Sequence, residues 1–344
     1  MIYRCKAPLR IGLAGGGTDV SPYSDLYGGA ILNATLSLYA HATIEPLDDN
    51  SIVLQGMDRK EDQRYERGVE LDSLPIDGKL DLLKGVYNRI RKEYGWSGGK
   101  GFRLSTFVDA PAGSGLGTSS TLVVAIIGVF AEMLKLPLGE YDMAHLAYDI
   151  ERKDLQMAGG RQDQYAATFG GVNYMEFFND DKVIVNPLRV KQQYLFELEN
   201  NLLLYYTATS RESARIIEVQ SRNVVDKKER SIEAMHQLKH QALLMKEALL
   251  RGRLHEIGEI LDFGFRQKQM MAEGISNPFI EDIYERAKKA GATGGKISGA
   301  GGGGFMTFYC PAISKYRVME MLAGLGGHCQ PYSFTGHGVT AWTV

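Results

Sequence analysis

Pro111-Ala112-Gly113-Ser114-Gly115-Leu116-Gly117-Thr118-Ser119-Ser120 follows a strand-like stretch, Phe102 to Val108, and leads into the apolar run Leu122 to Ala131. A strand, a loop with glycine at alternate positions and a hydroxyl-rich helix start aim several backbone N–H groups at one point, where the helix dipole adds positive potential. Phosphate is the expected occupant. A tight turn needs one glycine, and three at alternate positions followed by Thr-Ser-Ser exceed that need. Spacing sets aside two other phosphate loops. The Walker pattern ends in Gly-Lys-Ser/Thr, and this segment has no lysine. The dinucleotide pattern is GxGxxG with an acid about twenty residues on, whereas here the glycines run GxGxG and no such strand end follows.

Working outward, Tyr3 to Leu13 has β character up to a glycine turn, and Leu38 to Pro46 alternates like a strand. The helix after the loop should start at Thr118 or Ser119, either hydroxyl serving as N-cap, and stop before Pro137. Its apolar residues lie nearly all round, which predicts burial. A second helix spans roughly Glu140 to Leu155, ahead of Ala158-Gly159-Gly160-Arg161-Gln162-Asp163 and a strand-like Gly171 to Met175. After about residue 190 the texture changes: helical stretches at 211–221, 226–251, 253–273 and 278–290 precede a glycine-rich strand region at 291–309, a short helix and a closing strand. With 344 residues the chain exceeds what one core usually serves, so two α+β domains meeting near 190 are expected.

Composition narrows the function. The formal charge is −2 with no block of like charges, so neither nucleic acid nor an anionic membrane is an expected partner. Cys5, Cys310 and Cys329 are an odd number without metal or redox spacing, which reads as free, buried thiols in a reducing compartment. The longest apolar run is half of a bilayer crossing, and the expected location is the cytoplasm. The 40 glycines cluster at 12–17, 113–117 and 291–304, and clustered glycine in a compact chain marks backbone approaching a ligand.

The blocks Lys6-Ala7-Pro8-Leu9-Arg10, Pro111 to Ser120 and Lys296-Ile297-Ser298-Gly299-Ala300-Gly301-Gly302-Gly303-Gly304-Phe305 resemble, in order and separation, the three motifs of the GHMP kinases. The resemblance implies a two-domain α+β fold, with a βαβ-type N-terminal domain at 1–190 and a ferredoxin-like α+β domain at 191–344. It implies ATP in a cleft, its phosphates under Pro111, Gly113, Ser114, Gly115, Leu116, Gly117, Thr118, Ser119 and Ser120. Lys296, Ser298, Gly299, Gly301 and Gly302 of the third motif would close nearby. In similar kinases a glutamate and an aspartate at the separation of Glu151 and Asp163 have distinct jobs. By position Glu151 and Ser119 would bind Mg²⁺, Asp163 would face the acceptor hydroxyl, and Arg10 would sit beside Asp163 to favour the alkoxide and screen charge. Taken alone, Glu151 could pair with Arg152 or Lys153, and Asp163 could cap the next helix.

The acceptor is read from Arg10-Ile11-Gly12-Leu13-Ala14-Gly15-Gly16-Gly17-Thr18-Asp19. Asp19 matches the carboxylate with which galactokinases bind sugar hydroxyls, while Gly16 and Gly17 replace their glutamate and histidine and argue for another sugar. Through Asn33-Ala34-Thr35 the string resembles the bacterial D-glycero-D-manno-heptose 7-phosphate kinases, which phosphorylate the anomeric hydroxyl for nucleotide-activated heptose. The partner is thus a small-molecule sugar phosphate bound by Gly17, Thr18 and Asp19; the oligomeric state is open. Fucokinase-like activity on a free sugar, a non-catalytic sugar and ATP sensor and a decarboxylase on the same scaffold are the alternatives. Arg211, in a hydroxyl-rich helix start at 207–215, is the first candidate to hold the acceptor's phosphate, with Lys153 and Arg161 second. His236 and His240 lack a third ligand and are not expected to bind zinc.

Overall fold

The computed structural model describes residues 1–66, 73–95, 101–209 and 213–344. Twelve strands are assigned there: β1 (Tyr3–Ala14), β2 (Gly29–Pro46), β3 (Ser51–Gly56), β4 (Glu61–Glu66), β5 (Phe102–Val108), β6 (Val172–Phe177), β7 (Val183–Pro187), β8 (Leu202–Tyr206), β9 (Gly294–Ile297), β10 (Phe305–Tyr309), β11 (His328–Cys329) and β12 (Thr340–Thr343). Eight form one sheet along β12–β1–β2–β5–β3–β4, with β6 added to β2 and β7 to β6. Its one parallel pair, β3 with β5, is joined through β4 and the helix Asp81–Tyr94, which is the βαβ-type element of this half.

β2 starts at Gly29, well before the Leu38 expected from alternation. Ala30 to Ala34 lie between β1 and β6 and are buried on both faces, so no polar face marks them. The helix Thr118–Leu134 crosses this sheet, buried from Ser120 to Phe130. At Gly128 a Cβ would stand 2.6 Å from the Cys5 sulfur, so only glycine allows this approach to β1. Neither Thr118 nor Ser119 caps that helix. The chain enters it through Gly117 at φ 79° with no side-chain cap, because a left-handed glycine takes the place of an extended capping residue. The helix from Glu140 also departs from expectation: it ends at Asp149 and widens into one π turn, Ile150–Asp154, closed by Leu155 N–H to Ile150 O at 2.9 Å.

The second sheet runs β11–β8–β10–β9, all antiparallel. Strand, helices, strand, strand, helix, strand in the spatial order fourth, first, third, second is the ferredoxin-like arrangement. Helices Ser213–Val225, Glu229–Arg251, Ile257–Met271 and Pro278–Ala290 take up the four predicted stretches. The last has proline in its first turn and an Asn277 cap, whose side-chain oxygen accepts from Phe279 N–H at 3.0 Å and Ile280 N–H at 3.1 Å. Ala242, Met245, Ala248 and Leu249 share one core with Leu9, Ile11 and Leu36 of the first sheet, so the halves are packed face to face. The chain then returns, and β12 pairs with the outer edge of β1. No helix among the described residues is long and apolar enough to cross a membrane.

Candidate active site

The glycine loop Pro111 to Ser120 and the third glycine motif are built against each other. Gly113, Gly115 and Gly117 have φ of 72°, 83° and 79°, the alternation that turns successive N–H groups toward one concavity. Phe305 N–H donates to Ser114 O at 2.9 Å, and Ser298 N–H to Phe305 O at 2.8 Å. A Cβ on Gly115 would lie 2.7 Å from Ser298 O, and one on Gly304 would lie 2.4 Å from Ser114 O. Side chains at these two positions would drive the loops apart. Gly115, Gly299 and Gly304 therefore follow from one close contact, whereas Gly294, Gly301 and Gly303 abut Gly258, Ile275 and Thr209.

From β1, Arg10 reaches under this loop. Its guanidinium donates to Gly115 O at 2.6 Å and binds one oxygen of Asp163, Oδ1, from Nε at 2.7 Å and from NH2 at 2.6 Å. The other oxygen, Oδ2, is left beside the loop, where a Cβ on Gly117 would be 3.1 Å away. Asp163 sits in the first turn of the helix Gln162–Phe169 but does not cap it. That task falls to Asp19, whose Oδ2 accepts from Arg161 N–H at 2.9 Å and Gln162 N–H at 3.0 Å, leaving Oδ1 for a ligand. Burial pushes the Asp19 carboxyl up, the Gln162 N–H opposes this, and the Asp163 charge adds to it. The Gly159-Gly160 pair is explained in the same way. A Cβ on Gly160 would overlap Asp19 Oδ2 at 1.9 Å, and one on Gly159 would meet the Arg152 guanidinium at 2.2 Å.

Glu151 occupies the π turn, whose wider backbone brings it inward to 1% exposure. Gln164 Nε2 and the Ser120 hydroxyl hydrogen-bond it, and Gln164 Nε2 also reaches Ser120 Oγ at 3.1 Å. Burial raises its pKa, with the Arg152 charge the largest opposing influence. Ser119 lines the same cleft. The donors here are oxygens only, and among the described residues no three His, Cys, Asp or Glu gather to make a protein cage. One carboxylate with hydroxyls suits Mg²⁺, which keeps most of its shell as water and phosphate oxygen.

These groups surround a cleft of about 400 Å³ between the two halves. Arg10, Gly17, Asp19, Gly113, Gly115, Gly117, Thr118, Ser119, Ser120, Glu151, Asp163, Lys296 and Gly299 all line it. Ser114, Leu116, Ser298, Gly301 and Gly302 are buried and do not line it, and Pro111 is exposed outside it. Thr18 is different: fully buried, its hydroxyl bonds the carbonyls of Gly15 at 2.9 Å and Ala30 at 3.0 Å, and it shapes the loop rather than facing the cleft. The two second-choice phosphate donors point elsewhere. Arg161 donates to Asp25 at 2.7 Å and Phe178 O at 2.6 Å, and Lys153 pairs with Asp149 at 2.8 Å, because carboxylates on the far side compete for them. Arg211 lies outside the described residues. His236 meets Tyr23 Oη at 2.8 Å through Nδ1.

Several cleft residues were missed from sequence, Gln156, Glu218 and Gln220 among them, and Lys268 is the charged and buried one. Lys268 is buried, and its ammonium donates to Gly299 O. Its signal was available: Ile257, Leu261, Phe265 and Met271 mark the inward stripe of their helix, and Lys268 falls within it. A lysine there needs a reason.

Residues 81–171 match the GHMP kinases N terminal domain, and residues 245–313 match the GHMP kinases C terminal family. The D-glycero-alpha-D-manno-heptose 7-phosphate kinase of Campylobacter jejuni is 48% identical over 341 residues, 99% of each chain. A crystal structure of a D-glycero-D-manno-heptose 1-phosphate kinase from Bacteroides thetaiotaomicron superimposes with a TM-score of 0.84 at 44% identity, covering 99% of both chains. The L-fucokinase/L-fucose-1-P guanylyltransferase of Bacteroides fragilis is 28% identical over 323 residues, 88% of this chain but 34% of that one. A cleft of this kind, on this fold, is that of a phosphotransferase acting on a small molecule. The chain belongs to the GHMP kinase family, an ATP-dependent one.

Proposed function

We propose that the protein is a sugar kinase that transfers the γ-phosphoryl group of ATP to the anomeric hydroxyl of D-glycero-D-manno-heptose 7-phosphate, supplying nucleotide-activated heptose synthesis. The observation that carries this reading is the Arg10–Asp163 pair. It stands between the phosphate loop and the Asp19 wall, with one Asp163 oxygen tied to Arg10 and the other open to the cleft. An acceptor hydroxyl held there gives its proton to Asp163 Oδ2 as the oxygen attacks phosphorus in line, and Arg10 screens the charge between them. Asp19 Oδ1 accepts hydrogen bonds from sugar hydroxyls; Gly17 lies in the same wall, where a Cβ would meet Met271 at 2.6 Å. Bound Mg²⁺ would neutralise charge on the transferring phosphates; Glu151 and Ser119 are the residues that would hold it. The loop N–H groups of Gly113 to Gly117 and the start of the helix Thr118–Leu134 hold the donor phosphates. A neighbouring hollow of about 300 Å³, lined by Leu80, Leu83, Leu122 and Leu155 and sharing Ser119 and Met157 with the cleft, suits the apolar faces of the nucleobase. We also take residues 1–190 and 191–344 as the two functional halves, with the last strand returned to the first.

The choice of sugar rests on the likeness to the Campylobacter jejuni and Bacteroides thetaiotaomicron proteins, together with glycine at positions 16 and 17. Coupled ATP turnover with a panel of heptose 7-phosphate, free heptose, L-fucose and D-galactose tests it, with the phosphorylated position read by phosphorus NMR. Heptose 7-phosphate should be preferred and modified at C1. Preference for L-fucose would install the fucokinase-like alternative, and nucleotide binding without sugar-dependent turnover would install the sensor.

A further inference from the structure

Two lysines in the cleft form no ion pair among the described residues. Lys268, on the helix Ile257–Met271, and Lys296, on β9, are 5% and 8% exposed. Each is held by a backbone carbonyl, Lys268 by Gly299 O and Lys296 across the domain interface by Gly12 O. An ammonium that is nine-tenths buried and unpaired is costly, and a fold keeps it where something brings the charge in.

Position says what that is. A Cβ built on Gly16 would stand 3.9 Å from the Nζ of Lys268 and 3.9 Å from the Nζ of Lys296, so both ammoniums converge on space left open by this glycine. A Cβ on Gly12 would be 3.5 Å from Lys296 Nζ. Gly12, Gly16 and Asp19 belong to the acceptor wall. The donor's nest at Gly113 to Gly117 is contacted by Arg10 and by the backbone at Ser298 and Gly299, not by either ammonium. Asp19 is the one carboxylate acting appreciably on Lys268, and its Oδ2 is already committed to two backbone N–H groups.

We propose that Lys268 and Lys296 form the subsite for a phosphate monoester carried by the acceptor, and so determine preference for a phosphorylated over a free sugar. This rests on the reading of the acceptor as a sugar phosphate. Two lysine donors on one wall match the dianion of a phosphate monoester in number, and its negative charge would offset the burial that holds both lysines below their usual range. The open floor at Gly16 admits it, while Asp19 and Asp163 address hydroxyls nearby.

The test uses the full-length parent, Lys268→Met, Lys296→Met and Arg211→Ala with heptose 7-phosphate and unphosphorylated heptose. The parent should favour the phosphorylated sugar by about tenfold or more in kcat/KM, and each methionine variant should bring that ratio to within about threefold of unity. Thermal stabilisation by heptose 7-phosphate without nucleotide, compared with that by heptose, reads the same preference in any variant that does not turn over. Retention of the parent's ratio in both methionine variants overturns the proposal, as does its loss in Arg211→Ala alone. A rise in the KM for ATP with both acceptors, at unchanged preference, overturns it in favour of the donor phosphates. Equal use of the two sugars by the parent removes the sugar-phosphate reading itself, and the subsite with it.

Discussion

Asp19 does two things with two oxygens, and substitution can separate them. In Asp19→Ala the N–H groups of Arg161 and Gln162, now 2.9 and 3.0 Å from Oδ2, lose their acceptor at the start of the helix that carries Asp163. A buried donor left unmet costs about 1–3 kcal/mol. Because cleft water can reach these two, the lower end applies, giving about 2 kcal/mol for the pair. Removing a negative charge from a helix N-terminus adds about 0.5 kcal/mol. At roughly 2 °C per kcal/mol for a chain of this size, Tm should fall by about 5 °C. Asp19→Asn keeps an oxygen for both N–H groups, so its Tm should stay within about 2 °C of the parent. Toward the sugar, however, its amide donates where the carboxylate accepted. Both variants should therefore raise the acceptor KM by at least tenfold, on the order of the loss when a site built to hydrogen-bond a hydroxyl is left unmatched, and leave the KM for ATP within about threefold. Differential scanning fluorimetry and steady-state kinetics read the two effects separately. An Asp19→Ala Tm indistinguishable from the parent would refute the capping role, and equal losses for ATP and sugar would refute the acceptor role.

Asp163→Asn should lower kcat by on the order of a hundredfold with both KM values within a few-fold, the scale of general acid–base assistance; turnover within a few-fold of the parent would reduce Asp163 to an orienting group. Glu151→Gln should raise the Mg²⁺ concentration for half-maximal activity by about tenfold, since a charged oxygen leaves a hard-cation site, and an unchanged titration would take Glu151 out of the metal shell. Lys268 is held down to about 8, chiefly by burial, with the Arg10 charge adding and Asp19 opposing. Between about pH 8 and 10.5 the unfolded chain then carries more protons at this position than the folded one, so its contribution to stability improves as pH rises. Lys268→Met should accordingly be the more stable protein at pH 7, by an advantage that shrinks from pH 8 to 10; Tm measured against pH for both proteins checks this, and a constant difference would contradict it.

The glycine loop was legible in the residues themselves, because glycine at alternate positions encodes backbone geometry directly, and Gly113, Gly115 and Gly117 do have left-handed φ. Arg10, Glu151 and Asp163 were legible through motif resemblance, since nothing local to Arg10 says which carboxylate, 153 residues away, it will meet. The sequence left open whether Asp163 or some other group caps its helix, and only tertiary packing puts Asp19 there. The same holds for β8, whose run Leu202 to Tyr206 is apolar throughout and carries no alternation because it is central in its sheet. The π turn at Ile150–Asp154 was invisible to a reading based on a 3.6-residue period, yet it is what sets Glu151 inward. Lys268 belongs to no motif, and only its place in the inward stripe of its helix marks it.

The pairing of β1 with β12 has a bearing on how the molecule is made. Tyr3 to Lys6 find their outer partners in Thr340 to Thr343, while their inner partners, His41 to Ile44, are nearby in sequence. During synthesis, β1 and β2 can join early, but the outer edge of β1 stays bare until nearly all of the remaining chain has emerged. An unpaired edge on a hydrophobic sheet is a template for other chains. The nascent N-terminal half therefore carries an unpaired edge until β12 arrives. Truncations that remove the last few residues should accumulate as aggregates rather than as open monomers, even though no residue of β12 lines the cleft.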